Sequence, residues 1–186
     1  MTAWLDGALA GALAMAHPLS LAVLALVTLQ RLAELALARR NTRRLLAQGG
    51  VEIAPGHYPA VVVLHAVWLS GLWLLALPRA PDLALLAVFG AMQIGRGWVL
   101  AALGPRWTTR IIIVPGAPLV RSGPYRLLSH PNYLIVAGEI LVLPLAFGLP
   151  LFAIVFSGLN ALVLWVRIQA EDTALHGERP RGLASR

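Results

Sequence analysis

The side chains best suited to chemistry crowd into one stretch, Pro115-Gly116-Ala117-Pro118-Leu119-Val120-Arg121-Ser122-Gly123-Pro124-Tyr125-Arg126-Leu127-Leu128-Ser129-His130-Pro131-Asn132-Tyr133. Four prolines and two glycines rule out a continuous helix there, which leaves backbone amides and carbonyls available to a ligand. Pro131 suits a first helical turn, so Ser129 or His130 is the expected cap of a helix that follows. The amino terminus of that helix then points unpaired N–H groups at the loop, an arrangement suited to an anionic group. An ordinary re-entrant connector is the plainer alternative, but connectors seldom hold a His, two Tyr and an Asn together.

A few other polar residues stand in apolar surroundings. Glu139 follows Asn132 by seven residues, and roughly 700° of helical rotation returns it to nearly the same face. It either lines a ligand cavity or seals a helix contact. Arg167 and Glu171 are four apart and share a helix face; they form a surface pair or present opposite charges to a zwitterionic ligand, and periodicity does not choose. Arg31 and Glu34, three apart, read as a structural pair, and Arg96 within Gly95-Arg96-Gly97 as a packing residue. His65 reads as a hydrogen-bonded packing residue, since no partner at metal-ligand spacing accompanies it. With no cysteine in the chain, disulfides, thiolate metal sites and a cysteine nucleophile are excluded. No metal site is expected.

The elements that must position these groups follow from composition. Of 186 residues, 59% are apolar and 12% charged, too much apolar surface for a soluble fold to hide. The apolar residues form runs near the ~20 residues that cross a bilayer. Five spans are expected, at 18 to 38, 58 to 77, 82 to 103, 130 to 149 and 151 to 170. The result is an all-α polytopic membrane bundle, a single domain over 1–186, with a re-entrant cytoplasmic loop. The net charge of +7 comes from fifteen arginines and no lysine. Twelve lie in the segments 39 to 57 and 104 to 129 and in the tail from Arg167, against Arg79 alone on the other side. That bias places the amino terminus outside and the carboxyl terminus in the cytoplasm. Met1 to Ala16 lacks a basic leader region and is read as retained, although Ala14-Met15-Ala16 fits a cleavage site. No aromatic-interleaved basic stripe suggests nucleic acid.

The chain resembles the isoprenylcysteine carboxyl methyltransferase family. The likeness rests on Leu119-Val120, Ser122-Gly123-Pro124-Tyr125, His130-Pro131-Asn132-Tyr133 leading into an apolar helix, and Arg167 with Glu171-Asp172 and Leu175 after the last span. It covers roughly residues 104 to 175. Arg31-Leu32-Ala33-Glu34-Leu35, Arg39-Arg40-Asn41, His57-Tyr58-Pro59 and Trp107-Thr108-Thr109-Arg110 look more like a bacterial branch associated with type III polyketide synthases, which methylates alkylpyrones. Three departures stand out. Ser129 replaces the arginine usual before His-Pro, which can pass the cofactor's carboxylate to Arg126. Ala117 replaces a polar contact of eukaryotic members. The tail from His176 to Arg186 lacks their aromatic segment, which tells against a prenylated-protein substrate.

What the resemblance implies is an S-adenosylmethionine-dependent O-methyltransferase acting on a carboxylate or acidic hydroxyl of a lipophilic or lipid-modified molecule in the membrane. Cofactor contacts would fall on Ala117, Pro118, Leu119, Val120, Tyr125, His130, Pro131, Asn132, Tyr133 and Glu171, and Arg167 would orient the substrate. An acidic acceptor is already anionic near neutral pH and requires no base, whereas a phenolic acceptor would call on His130 or Glu139. The competing readings are a phospholipid N-methyltransferase, marked by methylated headgroups, and a non-catalytic membrane scaffold, marked by absence of cofactor binding.

Overall fold

The structure, a computed structural model, describes residues 16–118 and 120–177. The reading of the amino terminus as retained, the end of the tail and Leu119 fall outside those residues. The described residues form five α-helices: α1 (Pro18–Ala47), α2 (Tyr58–Leu75), α3 (Leu83–Leu103), α4 (Pro131–Ala146) and α5 (Pro150–Gly177). Prolines in the first turn of α1, α2 and α4 preset the backbone there. α3 is capped by Asp82, whose carboxylate accepts from the Leu85 amide at 2.9 Å. α4 begins at His130, which occupies the cap position without a side-chain hydrogen bond to the helix.

α1 departs from the expected bounds. It runs about two and a half turns past the apolar stretch, so Arg39, Arg40, Arg43 and Arg44 lie on a helix and not in a loop. The intervening Ala and Leu favour helix, and nothing breaks it before Gly49-Gly50. Four helical segments are long and apolar enough to cross a membrane: Pro18–Ala47, Pro55–Leu75, Leu83–Arg106 and Pro150–Glu171. α4 is shorter, with 16 residues, about 24 Å at the usual rise.

Hydrogen bonds show how the ends alternate. The His17 amide donates to the Leu77 carbonyl at 2.9 Å, and the Asp82 amide to the Ala146 carbonyl at 2.7 Å. The Ser20 hydroxyl donates to the Arg79 carbonyl. These join the start of α1, the α2–α3 turn and the α4–α5 turn at one end. At the opposite end Asn41 on α1 donates to the Trp107 carbonyl at 2.8 Å. There too a short antiparallel pair forms between β1 (Val51–Glu52) and β2 (Ile112–Ile113), in register Val51 with Ile113 and Glu52 with Ile112. Successive helices therefore run in opposite directions, and α4 joins the two ends despite its length.

Leu24 and Val27 of α1, Leu64, Trp68 and Leu72 of α2, Phe89 of α3 and Ile140 and Leu143 of α4 fill the centre. Leu26, Leu29, Leu74, Ile94, Leu151 and Ile154 are exposed, as expected of helices that turn an apolar face to lipid. With its four apolar spans, the chain is an integral membrane protein.

Inside the bundle, Glu139 on α4 is 1% exposed. Arg31 on α1 donates to its Oε2 at 2.6 Å, Arg96 on α3 to its Oε1 at 2.8 Å, and Gln93 to Oε1 at 2.8 Å. Arg31 also meets Glu34 at 2.8 Å, Arg96 meets Glu34 at 3.1 Å, and Gln30 links Glu34 to Gln93. Two guanidinium groups and two carboxylates thus neutralise one another across three helices. His65 donates from Nδ1 to the Val61 carbonyl at 2.8 Å, as a packing residue would. Removing one member of such a buried set strands the others, at a cost of about 3–5 kcal/mol. We expect Glu139→Ala to lower the melting temperature in detergent markedly. A variant that melts normally yet loses activity would instead make Glu139 a participant in chemistry.

Candidate functional site

The segment between α3 and α4 folds over the ends of the helices in short pieces. Gly104–Arg106 and Gly123–Arg126 form single 3-10 turns. Gly123 has φ +57°, and a Cβ there would lie 3.0 Å from the Ala102 Cβ and 3.1 Å from the Trp98 indole nitrogen. Only glycine combines that left-handed backbone with so close an approach to α3. Arg106 donates from Nη1 to the Pro118 carbonyl, which ties the proline-rich strip back to the turn after α3.

Between this strip, the β pair and the ends of α4 and α5 lies a cavity of about 760 Å³. Most of the residues singled out in the sequence come together on its wall. Ala117, Pro118 and Val120 belong to the strip, Tyr125 to the second 3-10 turn, His130 to the cap of α4, Asn132 and Tyr133 to its first turn, and Arg167 and Glu171 to α5. Pro131 is buried in the first turn of α4 and off the wall. Glu139 is also off it, with both carboxylate oxygens engaged by arginine. Ser129 lines the cavity, while Arg126, to which its departure from the usual arginine would pass a role, is exposed elsewhere.

Tyr133 joins the two charged residues of α5. Arg167 donates from Nε to its hydroxyl at 2.9 Å, and that hydroxyl donates to Glu171 Oε2. Arg167 and Glu171 are therefore linked through a phenol from another helix, which neither of the two readings of their spacing foresaw. Arg167 is 8% exposed and donates from Nη1 to the Thr109 carbonyl at 2.7 Å. Among the described residues no hydrogen bond engages its Nη2. The His130 ring stacks on Tyr133 with centroids 5.2 Å apart, and its Nδ1 lies 4.0 Å from Glu171 Oε2. Burial, reinforced by the Glu171 charge, pushes the Tyr125 hydroxyl up to about 12, so it stays protonated near neutrality.

The wall combines three kinds of surface. Ile111, Ile112, Ile113 and Val114 are apolar. Arg106, Arg110, Arg121 and Arg167 are set against Glu171, so the lining is cationic overall. Two buried polar atoms on lining residues, Asn132 Oδ1 and Trp107 Nε1, find no hydrogen-bond partner among the described residues. Buried groups of that kind are normally satisfied, and here a ligand can satisfy them.

Sequence reasoning left out the support that the first half of the chain gives to Arg110 on the cavity wall. Arg110 donates from Nη1 to both oxygens of Glu52, at 3.0 and 2.8 Å, and lies 4.4 Å from the centroid of the Tyr58 ring. The hydrogen bond it donates to Glu52 holds the guanidinium more firmly protonated. The Tyr58 hydroxyl also bonds the Thr109 hydroxyl at 3.2 Å. The β-branched runs Val51-Glu52-Ile53 and Ile111-Ile112-Ile113 were the available signal, since each suits a short strand.

Comparison with known proteins bears on this site. The sequence profile of the isoprenylcysteine carboxyl methyltransferase family matches residues 83–177. A Bacillus subtilis (strain 168) protein with the name "Uncharacterized protein YpbQ" is 40% identical over 158 residues, covering 82% of this chain and 94% of the relative. No solved structure matches.

Proposed function

The chain belongs to the isoprenylcysteine carboxyl methyltransferase family of membrane methyltransferases, and from that premise we propose that it methylates the acidic oxygen of an amphiphile, using S-adenosylmethionine. The observation that carries this reading is the junction of Arg167, Tyr133 and Glu171 on the wall of one cavity. It sets a guanidinium and a carboxylate, one turn apart, in the same space.

The residues present fit the cofactor. A volume of about 760 Å³ lies within the ~300–1,000 Å³ usual for small-molecule sites. Glu171 can hold an ammonium or sulfonium, and the unsatisfied Asn132 Oδ1 and Trp107 Nε1 offer one acceptor and one donor. His130, Tyr125 and the strip Ala117, Pro118 and Val120 complete that part of the wall; we assign Pro131 to fixing the first turn of α4, and carry Leu119 over as a cofactor contact on the family resemblance alone. When bound, S-adenosylmethionine supplies a methyl group on a positively charged sulfur.

The rest of the work is positioning. Arg167, held through Nε and Nη1, directs Nη2 to an anionic oxygen and cannot take a proton from it. Restricting that oxygen to an in-line approach is worth several kcal/mol of the barrier. Ile111 to Val114 keep water from the acceptor and accommodate its apolar chain. An acceptor that is already ionised needs no general base, so we give Glu139 a structural role. The acceptor is a carboxylate or an acidic hydroxyl such as that of an alkylpyrone.

The arginine bias, now with Arg39, Arg40, Arg43 and Arg44 on α1 beyond the apolar stretch, supports a cytoplasmic site and a carboxyl terminus on that side. We expect a reporter fused after Arg186 to be active in the cytoplasm; activity confined to the external face would reverse the orientation.

The roles separate under mutation. We expect Arg167→Ala to reduce methyl transfer about a hundredfold or more through misalignment, with cofactor affinity changed only a few-fold, and Arg167→Lys to restore part of it. Glu171→Ala and His130→Ala should weaken cofactor binding itself. Near-normal turnover in Arg167→Ala, measured beside cofactor affinity by calorimetry, would remove the substrate role.

A further inference from the structure

Arg110 lines the same cavity as Arg167, but its supports come from a different part of the chain. Glu52 lies on β1 and Tyr58 opens α2, both outside the stretch 83–177 that matches the family profile. Through the β1–β2 pair, Glu52 is brought beside the segment that leads out of Arg110. Glu52 takes only Nη1 of the guanidinium, so Nε and Nη2 stay outside that ion pair. The Tyr58 ring covers the guanidinium at 4.4 Å. Together these contacts remove much of the conformational freedom an arginine ordinarily loses on binding a ligand, which is how an anion-binding guanidinium is made ready. The neighbouring residue Thr109 gives its carbonyl to Arg167 Nη1 at 2.7 Å, so consecutive residues of the segment leading into β2 carry one guanidinium and hold the other. The apolar run Ile111-Ile112-Ile113 starts directly after Arg110 on the same wall.

We propose that Arg110 is a specificity-determining residue that binds the anionic head of the methyl acceptor beside Arg167, and that Glu52 and Tyr58 hold it for that purpose. The proposal rests on the reading of the cavity as a methyl-transfer site. It makes the first half of the chain, through Glu52 and Tyr58, the support of the residue that selects the acceptor. A neutral acceptor loses this contact, and so does the methylated product, whose oxygen has given up its charge. Product release is favoured by the same residue that selects the substrate.

Reversal of the ion pair separates this role from simple pinning of the β pair. In the double variant Glu52→Arg with Arg110→Glu the pair is retained, but a carboxylate replaces the guanidinium on the cavity wall. The probes are palmitic acid and its methyl ester, an anionic amphiphile and its uncharged counterpart, titrated calorimetrically in detergent with S-adenosylhomocysteine present. The native chain should bind the acid at least tenfold more tightly than the ester. The reversed pair should lose that preference while keeping its melting temperature, and Arg110→Gln, which carries the test if the reversed pair does not fold, should lose most of it. Equal affinity for acid and ester in the native chain, or an undiminished preference in the variants, would overturn the role of Arg110. S-adenosylhomocysteine affinity in the same samples should stay within a few-fold of native; failure of the native chain to bind it would count against the methyl-transfer reading itself.

Discussion

An ionised carboxylate in hydrocarbon must find donors, and Glu139 finds them on two other helices. Arg31 of α1 and Arg96 of α3 both reach it, and both also reach Glu34. The alternatives are to leave a charge uncompensated in the bundle or to move a helix, and both are costly in a medium without water. α4 is short and carries the cavity-lining His130, Asn132 and Tyr133 at its cap and first turn, so fixing Glu139 two turns deeper also fixes where those groups project. α5 packs on α4 and adds Arg167 and Glu171, which converge on the Tyr133 hydroxyl. The geometry of the cavity is thus inherited from an ion set that does not touch it.

The cavity sits where the helices stop. Within a bilayer every backbone amide is committed to its helix, so irregular backbone able to meet a polar ligand belongs at the boundary or in a protein-lined recess. The strip from Pro115 to Ser129 meets that requirement: prolines prevent it from becoming helix, Gly123 seats it on α3, and Arg106 ties it down through the Pro118 carbonyl. Its cationic lining, apolar run and single carboxylate suit two ligands of different character. One carries a positive centre and is soluble, and the other is an anion with an apolar chain.

Much of this was legible in the sequence. Four of the helices follow from apolar runs of bilayer length and the shorter α4 from the apolar run after Pro131, and the proline-rich strip from residues that exclude regular structure. The convergence on Tyr125, His130, Asn132, Tyr133, Arg167 and Glu171 followed from motif positions. What periodicity could not supply was tertiary pairing. Arg31, Glu34, Arg96 and Glu139 were each visible as charges in apolar runs, but local spacing joins only Arg31 to Glu34, and the remaining bonds cross 43 to 108 residues. The same limit hid the bridge through Tyr133, since Arg167 and Glu171 at helical spacing look like a pair by themselves. Arg110 was quoted only within a motif, and its pairing with Glu52 was missed because strands of two residues leave almost no alternation to read.

The central claim is that this chain moves a methyl group from S-adenosylmethionine to an acidic oxygen of a membrane amphiphile. The most direct measurement incubates the purified protein with methyl-labelled cofactor and a native membrane extract, then separates the labelled lipid by anion exchange before and after transfer. The account predicts label in a lipid that was retained as an anion and, once methylated, no longer is. Label confined to an amine headgroup, or no protein-dependent label in any lipid, would contradict it.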